Sequence, residues 1–385
     1  MDYFLTDEQK EIKALTRQIA EERVLPVRAE LDEKEEFPWD IVNEMARSDL
    51  YRVFIPEEYE GLGGGTLELC LVTEELARVC SGVAVTYAAS ALGCITLIEY
   101  GSEEQKKKYL PDIASGKKIG AFAVTEATAG SDASNIKTTA EPVEGGYLLN
   151  GTKQFITNGG EAQFYTVIAL TDKTKGARGA SALIVEKGMD GFTFGKKEKK
   201  LGIRASATRE LVFKNCFVPR ENLIGKEGLG FIQAMRLFDK SRPGIGAQAV
   251  GLCQGALEAA VEYTSQRVQF NQPLISMPVV QSMLADMSIL TETSRAIVYA
   301  AARHVDSGAK NVTEESAIAK VFASDSAMKV TVDAVQLCGG SGYMRDYPVE
   351  KMMRDAKILQ IYEGTNQVLR GAIAANLRKR KGRTA

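Results

Sequence analysis

Apolar residues recur at three-to-four-residue spacing over the first 120 or so positions, which predicts helices. Thr6-Asp7-Glu8-Gln9 has the form of a capping box and opens a helix whose apolar face would carry Ile12, Leu15, Ile19 and Val24, ending near Pro26. A second helix follows Pro38 with Ile41, Val42, Met45 and Ala46, and others are expected over 66–79 and 103–110. Residues 79–98 carry no charge and have the length of a bilayer span. Ser81, Thr86, Ser90, Gly93 and Thr96 interrupt that run, and Arg78 and Glu99 close it, so a buried central helix is expected rather than a membrane span.

The period then shortens. Between residues 119 and 224, runs such as 155–157, 165–170, 181–185 and 211–213 are β-prone and bounded by Gly, Asn, Asp or Lys. Glu144-Gly145-Gly146 reads as a hairpin turn, and the spacing suits an antiparallel, barrel-like sheet. Helical spacing returns after Gly228, with long helices predicted over 251–267, 279–307, 313–336 and from 349 onward. The chain thus reads as α+β: an N-terminal α-helical domain (1–120), a middle antiparallel β-barrel-like domain (121–228) and a C-terminal four-helix bundle (229–385).

Charge and composition exclude more than they assign. The 385 residues carry a formal net charge of −2, with 45% hydrophobic and 25% charged residues, which argues against nucleic acid as the main partner. The basic cluster Arg378-Lys379-Arg380-Lys381 with Arg383 reads as a solvated helix end. Six scattered cysteines without CxxC spacing fit free thiols rather than disulfides or a metal site. The single histidine, His304, lies in a predicted helix, so His-based catalysis is not expected. Met1 to Asp7 is neither basic nor followed by a signal-peptide core, so a cytoplasmic chain is expected, or a mitochondrial-matrix one if it is already processed. Gly61-Leu62-Gly63-Gly64-Gly65 lacks a strand before it and Lys-Ser/Thr after it, and reads as a connector.

Candidate chemistry concentrates in Ile361-Tyr362-Glu363-Gly364-Thr365-Asn366-Gln367. Met352, Met353, Ala356, Leu359 and Gln360 mark a helix before this stretch; Val368, Leu369, Ala372, Ile373 and Leu377 mark another after it. Gly364 breaks the two helices, and Thr365 or Asn366 can cap the second. Apolar neighbours would raise the pKa of Glu363 toward that of a general base, and free N–H groups of the turn could polarise a carbonyl. A solvent-facing loop carboxylate is the other reading of the same spacing.

Together with Arg354-Asp355-Ala356-Lys357, this stretch resembles the C-terminal signature of the acyl-CoA dehydrogenases. The resemblance continues along the chain. Phe122-Ala123-Val124-Thr125-Glu126-Ala127-Thr128-Ala129-Gly130-Ser131-Asp132 is similar to the family's flavin loop, with Ala127 in place of the usual Pro. Lys153-Gln154-Phe155-Ile156-Thr157-Asn158 matches a second stretch, with Phe155 where Trp is usual. Residues 200–208, 218–225 and 238–242 match further segments. Arg267-Val268-Gln269-Phe270-Asn271-Gln272-Pro273 and Gln336-Leu337-Cys338-Gly339-Gly340 do so with Asn271 for Gly and Met277-Pro278 for an aromatic or His followed by Gln.

The resemblance implies an FAD-dependent α,β-dehydrogenation of an acyl-CoA thioester, with Glu363 as the base. Phe122, Val124, Thr125, Ser131, Phe155 and Thr157 would lie against the flavin, as would Thr365 and Gln367. Arg267, Phe270, Gln336, Gly339 and Gly340 would reach the FAD of a neighbouring subunit. Ser131, Asp239, Arg242, Tyr362 and Gly364 would meet the substrate. Some relatives carry the base where this chain has Ser241, which favours Glu363 here. Tyr87, Leu92, Ile95 and Tyr362 are expected pocket walls. An electron-transfer flavoprotein as acceptor and a homotetramer are implied as well. An acyl-CoA oxidase, an enoyl-CoA reductase and a non-catalytic acyl-CoA-binding scaffold are the alternatives.

Overall fold

A computed structural model describes residues 3–381, with the side chains of 379–381 excepted. Met1, Asp2 and Arg383, and the side chains of Lys379, Arg380 and Lys381, lie outside the described residues.

The N-terminal helices are α1 (Asp7–Ile19), α2 (Arg28–Lys34), α3 (Trp39–Arg47), α4 (Thr66–Val79), α5 (Ser81–Tyr100) and α6 (Glu103–Ala114). The capping box of α1 forms as expected, Gln9 N–H donating to Thr6 Oγ1 at 3.2 Å and Thr6 N–H to Gln9 Oε1 at 3.0 Å. A π-helical turn, Ala20–Val24, extends α1, and Leu15 is 41% exposed while Thr16 is buried. Thr16 tolerates burial because its hydroxyl donates to the Ile12 carbonyl at 2.7 Å. Helix α5 is apolar on every side and sits in the core, as a helix without a polar face must. It is long and apolar enough to cross a membrane, but most of it is covered by the rest of the fold. At Gly93 a Cβ would lie 2.6 Å from Ala121 N, so glycine lets α5 press against the first strand.

The strands are β1 (Gly120–Ala123), β2 (Thr139–Val143), β3 (Gly146–Thr157), β4 (Phe164–Leu170), β5 (Ala180–Glu186), β6 (Phe192–Lys197), β7 (Thr208–Pro219) and β8 (Leu223–Ile224). They form one sheet in the order β6-β7-β3-β2-β4-β5-β8, with β1 beside β4. The predicted hairpin is β2–β3, with Val143 opposite Gly146. One expectation needs correction: β4 pairs in parallel with β1 and β2, so the sheet is mixed rather than wholly antiparallel. Neither of those pairings is closed by a hairpin, and the longer connections they require come from the 124–138 loop and from β3.

Helices α7 (Gly230–Gln266), α8 (Pro278–Asp306), α9 (Thr313–Tyr343), α10 (Val349–Leu359) and α11 (Asn366–Lys381) complete the chain. Helix α7 begins well before residue 251. Pro243 and several glycines read as breakers in sequence, yet packing against α4 and α9 carries the helix through them. Between α7 and α8 a short ribbon, β9 (Val268–Gln269) with β10 (Gln272–Pro273), turns at Phe270 and Asn271, both with positive φ (50° and 62°). Asn tolerates that left-handed conformation, which accounts for its presence at a glycine position. Pro278 starts α8, where its missing N–H costs nothing.

Candidate active site

Glu363 lies in the turn between α10 and α11, with φ 51°, followed by Gly364 at φ 97°. Thr365 caps α11, its Oγ1 accepting from Val368 N–H at 3.3 Å. Asn366 is buried instead, donating to Ser324 Oγ (2.9 Å) and Asp325 Oδ1 (2.8 Å). Positive φ at a non-glycine residue is strain that the surroundings must hold. Here they do so from two helices. Arg242 Nε of α7 donates to the Glu363 carbonyl at 3.3 Å, and Lys320 Nζ of α9 donates to the Gly364 carbonyl at 2.8 Å.

The Glu363 carboxylate accepts a 2.5 Å hydrogen bond from Ser241 Oγ. Burial pushes its pKa above the usual carboxylate range, against the opposing pull of the Ser241 hydroxyl and the Arg242 and Lys320 cations. The Glu363 N–H has no acceptor among the described residues and is left to a ligand. The Tyr362 hydroxyl is tied to Gln248 Oε1, and Gln248 Nε2 in turn donates to Ser81 Oγ at 2.7 Å.

Glu363 and Ser241 line one cavity of about 140 Å³ together with residues of β1, the loop after it and β3. Phe122, Val124, Thr125, Phe155 and Thr157 all line it, as do Tyr362, Leu92 and Ile95. Phe155 sits at a register shift in β3 with φ 57° and is 62% exposed, a ring held out from the sheet. The hydroxyls of Thr125 and Thr157 bond to no described residue. Free aromatic surface beside free hydroxyls suits a flat heteroaromatic group with polar edges, so these residues fit a flavin ring.

Other expected residues lie elsewhere. Tyr87 is not a pocket wall: it is fully buried, its hydroxyl donates to the Leu50 carbonyl at 3.0 Å, and its ring packs against Tyr51 and Phe54. Ser131 is exposed in a loop outside the cavity. Asp239 is held by Arg242 (2.6 Å) and Thr313 (2.6 Å), so Asp239 and Arg242 brace the Glu363 turn. Gln367 is exposed on α11. Arg267, Phe270, Gln336, Gly339 and Gly340 are exposed at the far end of α7 and α9, with Phe270 87% exposed. From Ser241 to Arg267 the helix rise alone spans about 39 Å, so these residues cannot serve their own chain's cavity.

Several contributors escaped the sequence. Lys153 is fully buried against Glu126 at 2.7 Å and the Val124 carbonyl at 2.9 Å. The Glu126 carboxylate also accepts from the backbone N–H of Lys137 (2.7 Å) and Thr138 (3.1 Å). This buried pair fixes the 124–138 loop, and two backbone bonds between Glu126 and Ala129 close its turn without a proline at Ala127. Lys320 gave one signal, a lysine in the otherwise small and apolar run Ala317-Ile318-Ala319-Lys320-Val321-Phe322-Ala323. A larger cleft of about 680 Å³, lined by Arg23, Phe37, Trp39 and Arg47 among others, holds none of the expected site residues.

Comparison with known proteins gives the family of the chain. The acyl-CoA dehydrogenase N-terminal, middle and C-terminal domain families match residues 6–117, 121–216 and 228–378. A short-chain-specific acyl-CoA dehydrogenase of Clostridium acetobutylicum is 46% identical over 378 residues, covering 98% of this chain and 100% of the relative. An acryloyl-CoA reductase (NADH) of Anaerotignum propionicum is 45% identical over 382 residues, covering 99% and 97%. Butyryl-CoA dehydrogenase from Megasphaera elsdenii superposes with a TM-score of 0.95 at 44% identity, covering 98% of this chain and 100% of that one. A chain solved in work on the electron transferring flavoprotein of Acidaminococcus fermentans and flavin-based electron bifurcation gives 0.96 at 46% identity, covering 98% and 99%. An acyl-CoA dehydrogenase of Bacillus anthracis in complex with FAD gives 0.92 at 34%, covering 99% and 68%. With three domain families in order over nearly its whole length, the chain belongs to the acyl-CoA dehydrogenases, FAD-dependent enzymes that oxidise acyl-CoA thioesters.

Proposed function

We propose that this acyl-CoA dehydrogenase takes a short-chain acyl-CoA and that Glu363 is its base. The observation that carries the reading is the Glu363 carboxylate, raised in pKa, lining one cavity with Phe122, Val124, Thr125, Phe155 and Thr157. Glu363 would take the α proton of the thioester, and its unpaired N–H would donate to the thioester carbonyl, stabilising the negative charge that develops there. Bound FAD supplies the hydride acceptor for the β carbon. Thr125 and Thr157 would donate to the polar edge of the ring, and Phe155 would cover it. Tyr362, Leu92 and Ile95 would bound the acyl side of the cavity, and the relatives named for short-chain and butyryl-CoA substrates support a short chain. Ser131 and Gly364 are assigned to the thioester side by the family pattern, and Thr365 and Gln367 to the cofactor side.

Arg267, Phe270, Gln336, Gly339 and Gly340 are assigned to the FAD of a second copy. Their distance from this chain's cavity supports a homo-oligomer with shared cofactor sites, a homotetramer by the family pattern, with an electron-transfer flavoprotein as acceptor. A bacterial cytoplasmic location accords with the organisms of the relatives.

Glu363→Gln is expected to retain FAD and bind acyl-CoA while turnover falls by about 10²- to 10⁴-fold; undiminished turnover would move the base elsewhere. In the wild type, kcat/KM should drop on acidification through a pKa above 4.5, because only the ionised carboxylate accepts a proton. A panel of acyl-CoAs with an artificial acceptor should favour chains of about four carbons, and a preference for long chains overturns the short-chain reading. The relative named acryloyl-CoA reductase favours one second reading, net reduction of a 2-enoyl-CoA by the same residues. Enoyl-CoA-dependent oxidation of the reduced enzyme, faster than acyl-CoA-dependent reduction, would select it.

A further inference from the structure

The Glu363 turn is held by two cations from two helices, and only one of them has a counter-ion. Arg242 pairs with Asp239 at 2.6 Å. Lys320 is fully buried, and no carboxylate among the described residues lies within ion-pair distance of its ammonium. Its protein acceptors are both neutral: the Gly364 carbonyl at 2.8 Å and Asn366 Oδ1 at 2.9 Å. A bare ammonium is an expensive thing to bury, and a structural contact to two neutral oxygens could be made by an amide instead.

The surroundings hold that arrangement in place. Asn366 donates through Nδ2 to Asp325 Oδ1 and Ser324 Oγ, which turns its oxygen toward Lys320. Asp325 is itself occupied by Gln360 (2.6 Å) and Arg370 (2.6 Å), so its charge is spent on α10 and α11. The charged groups that act on Lys320 are therefore Glu363, Arg242 and Asp325, and the first of these is the base. The groups that act on Glu363 are Ser241 and Arg242 from α7 and Lys320 from α9.

We infer that Lys320 is a positioning residue for dehydrogenation: it fixes the Gly364 carbonyl and thereby the strained Glu363 backbone, and its charge keeps the base ionised when substrate shuts out water. This rests on the reading of Glu363 as the base. Burial holds the Lys320 ammonium to a pKa of about 8, so it remains charged through the neutral range in which Glu363 must be ionised. Removing a neighbouring cation raises a carboxylate's pKa, so loss of Lys320 moves the acidic limb of the rate profile to higher pH.

The test uses the FAD-loaded enzyme with Lys320→Gln, Lys320→Arg and Glu363→Gln in parallel. Lys320→Gln keeps a donor for the Gly364 carbonyl and deletes the charge. Its acidic limb in kcat should move up by on the order of one pH unit, and kcat at neutral pH should fall about tenfold or more with a smaller change in KM. Lys320→Arg should return the limb to the wild-type position. A folded, flavin-loaded Lys320→Gln enzyme with an unmoved limb overturns the inference, even if its thermal stability drops. If Lys320→Gln does not accumulate with flavin, Lys320→Met takes its place: an acidic limb moved upward in the flavin-loaded variant supports the inference, and an unmoved limb overturns it. Glu363→Gln keeps the two failures apart. If it retains turnover the base assignment falls; if it is inactive while the Lys320 variants behave as wild type, only the role of Lys320 falls.

Discussion

Glu363 shows how much of a residue's chemistry depends on neighbours that are remote in sequence. Its place in a turn after a helix is legible from Gly364 and the flanking periodicities, but its hydrogen-bond donor, Ser241, comes from α7. Ser241 stood in the sequence only as a position without a carboxylate. In the structure its hydroxyl favours the ionised form of Glu363, while burial favours the neutral one. Ser241→Ala is therefore expected to raise the pKa of the base, shifting the acidic limb of kcat/KM upward by on the order of one pH unit with FAD content unchanged. A limb that stays in place in the flavin-loaded variant contradicts this. Leu15 and Tyr87 show the converse: periodicity puts Leu15 in the core and Tyr87 is expected in the pocket wall, yet α1 buries Thr16 instead and Tyr87 packs in a cluster with Tyr51 and Phe54.

Among the elements, α10 does more than lead into the catalytic turn. Asp355 is fully buried and accepts from Ile203 N–H at 2.5 Å and Lys351 Nζ at 2.6 Å. Arg354 reaches Asp32 of α2 at 2.7 Å. Gly202 lies so close to the α10 backbone that a Cβ there would come within 2.4 Å of the Arg354 carbonyl. The motifs at 200–208 and 354–357 are thus two sides of one joint between the sheet region and the C-terminal helices. Asp355→Ala would leave Lys351 buried without its partner, and a loss of about 3–5 kcal/mol is expected, read as a lowered denaturation midpoint. A variant as stable as the wild type would remove Asp355 from that joint. Helix α7 runs from Gly230 through Pro243 rather than from 251, because side-chain packing outweighs the local preference of proline and glycine against a helix interior.

At the scale of the whole molecule, the described cysteines are free and buried. Burial raises the pKa of Cys70, Cys94, Cys216, Cys253 and Cys338, so these thiols keep their protons in the folded state beyond the point where an unfolded chain releases them. The folded state then binds more protons than the unfolded one above pH ~8.5, and stability falls as pH rises. Lys153, Lys200 and Lys320, lowered to about 8, act in the opposite sense, but buried tyrosines such as Tyr51 and Tyr165 join the thiols from pH ~10. The melting temperature is expected to decline from about pH 9 and more steeply beyond 10; a flat profile across that range would show that the thiols are not held protonated.

Local rules acting on the sequence alone determined the α, β, α order, the capping box of α1, the β2–β3 hairpin and the turn that carries Glu363, since each depends on residues within a few positions of one another. The family pattern in the same sequence named the reaction. Only the tertiary structure decided which neighbours tune the base, because Ser241, Arg242 and Lys320 are more than forty residues from Glu363 and meet it solely through helix packing. It also decided that Arg267, Phe270 and Gly339 face away from the cavity of their own chain, because a continuous α7 separates its two ends by a distance that no side chain bridges.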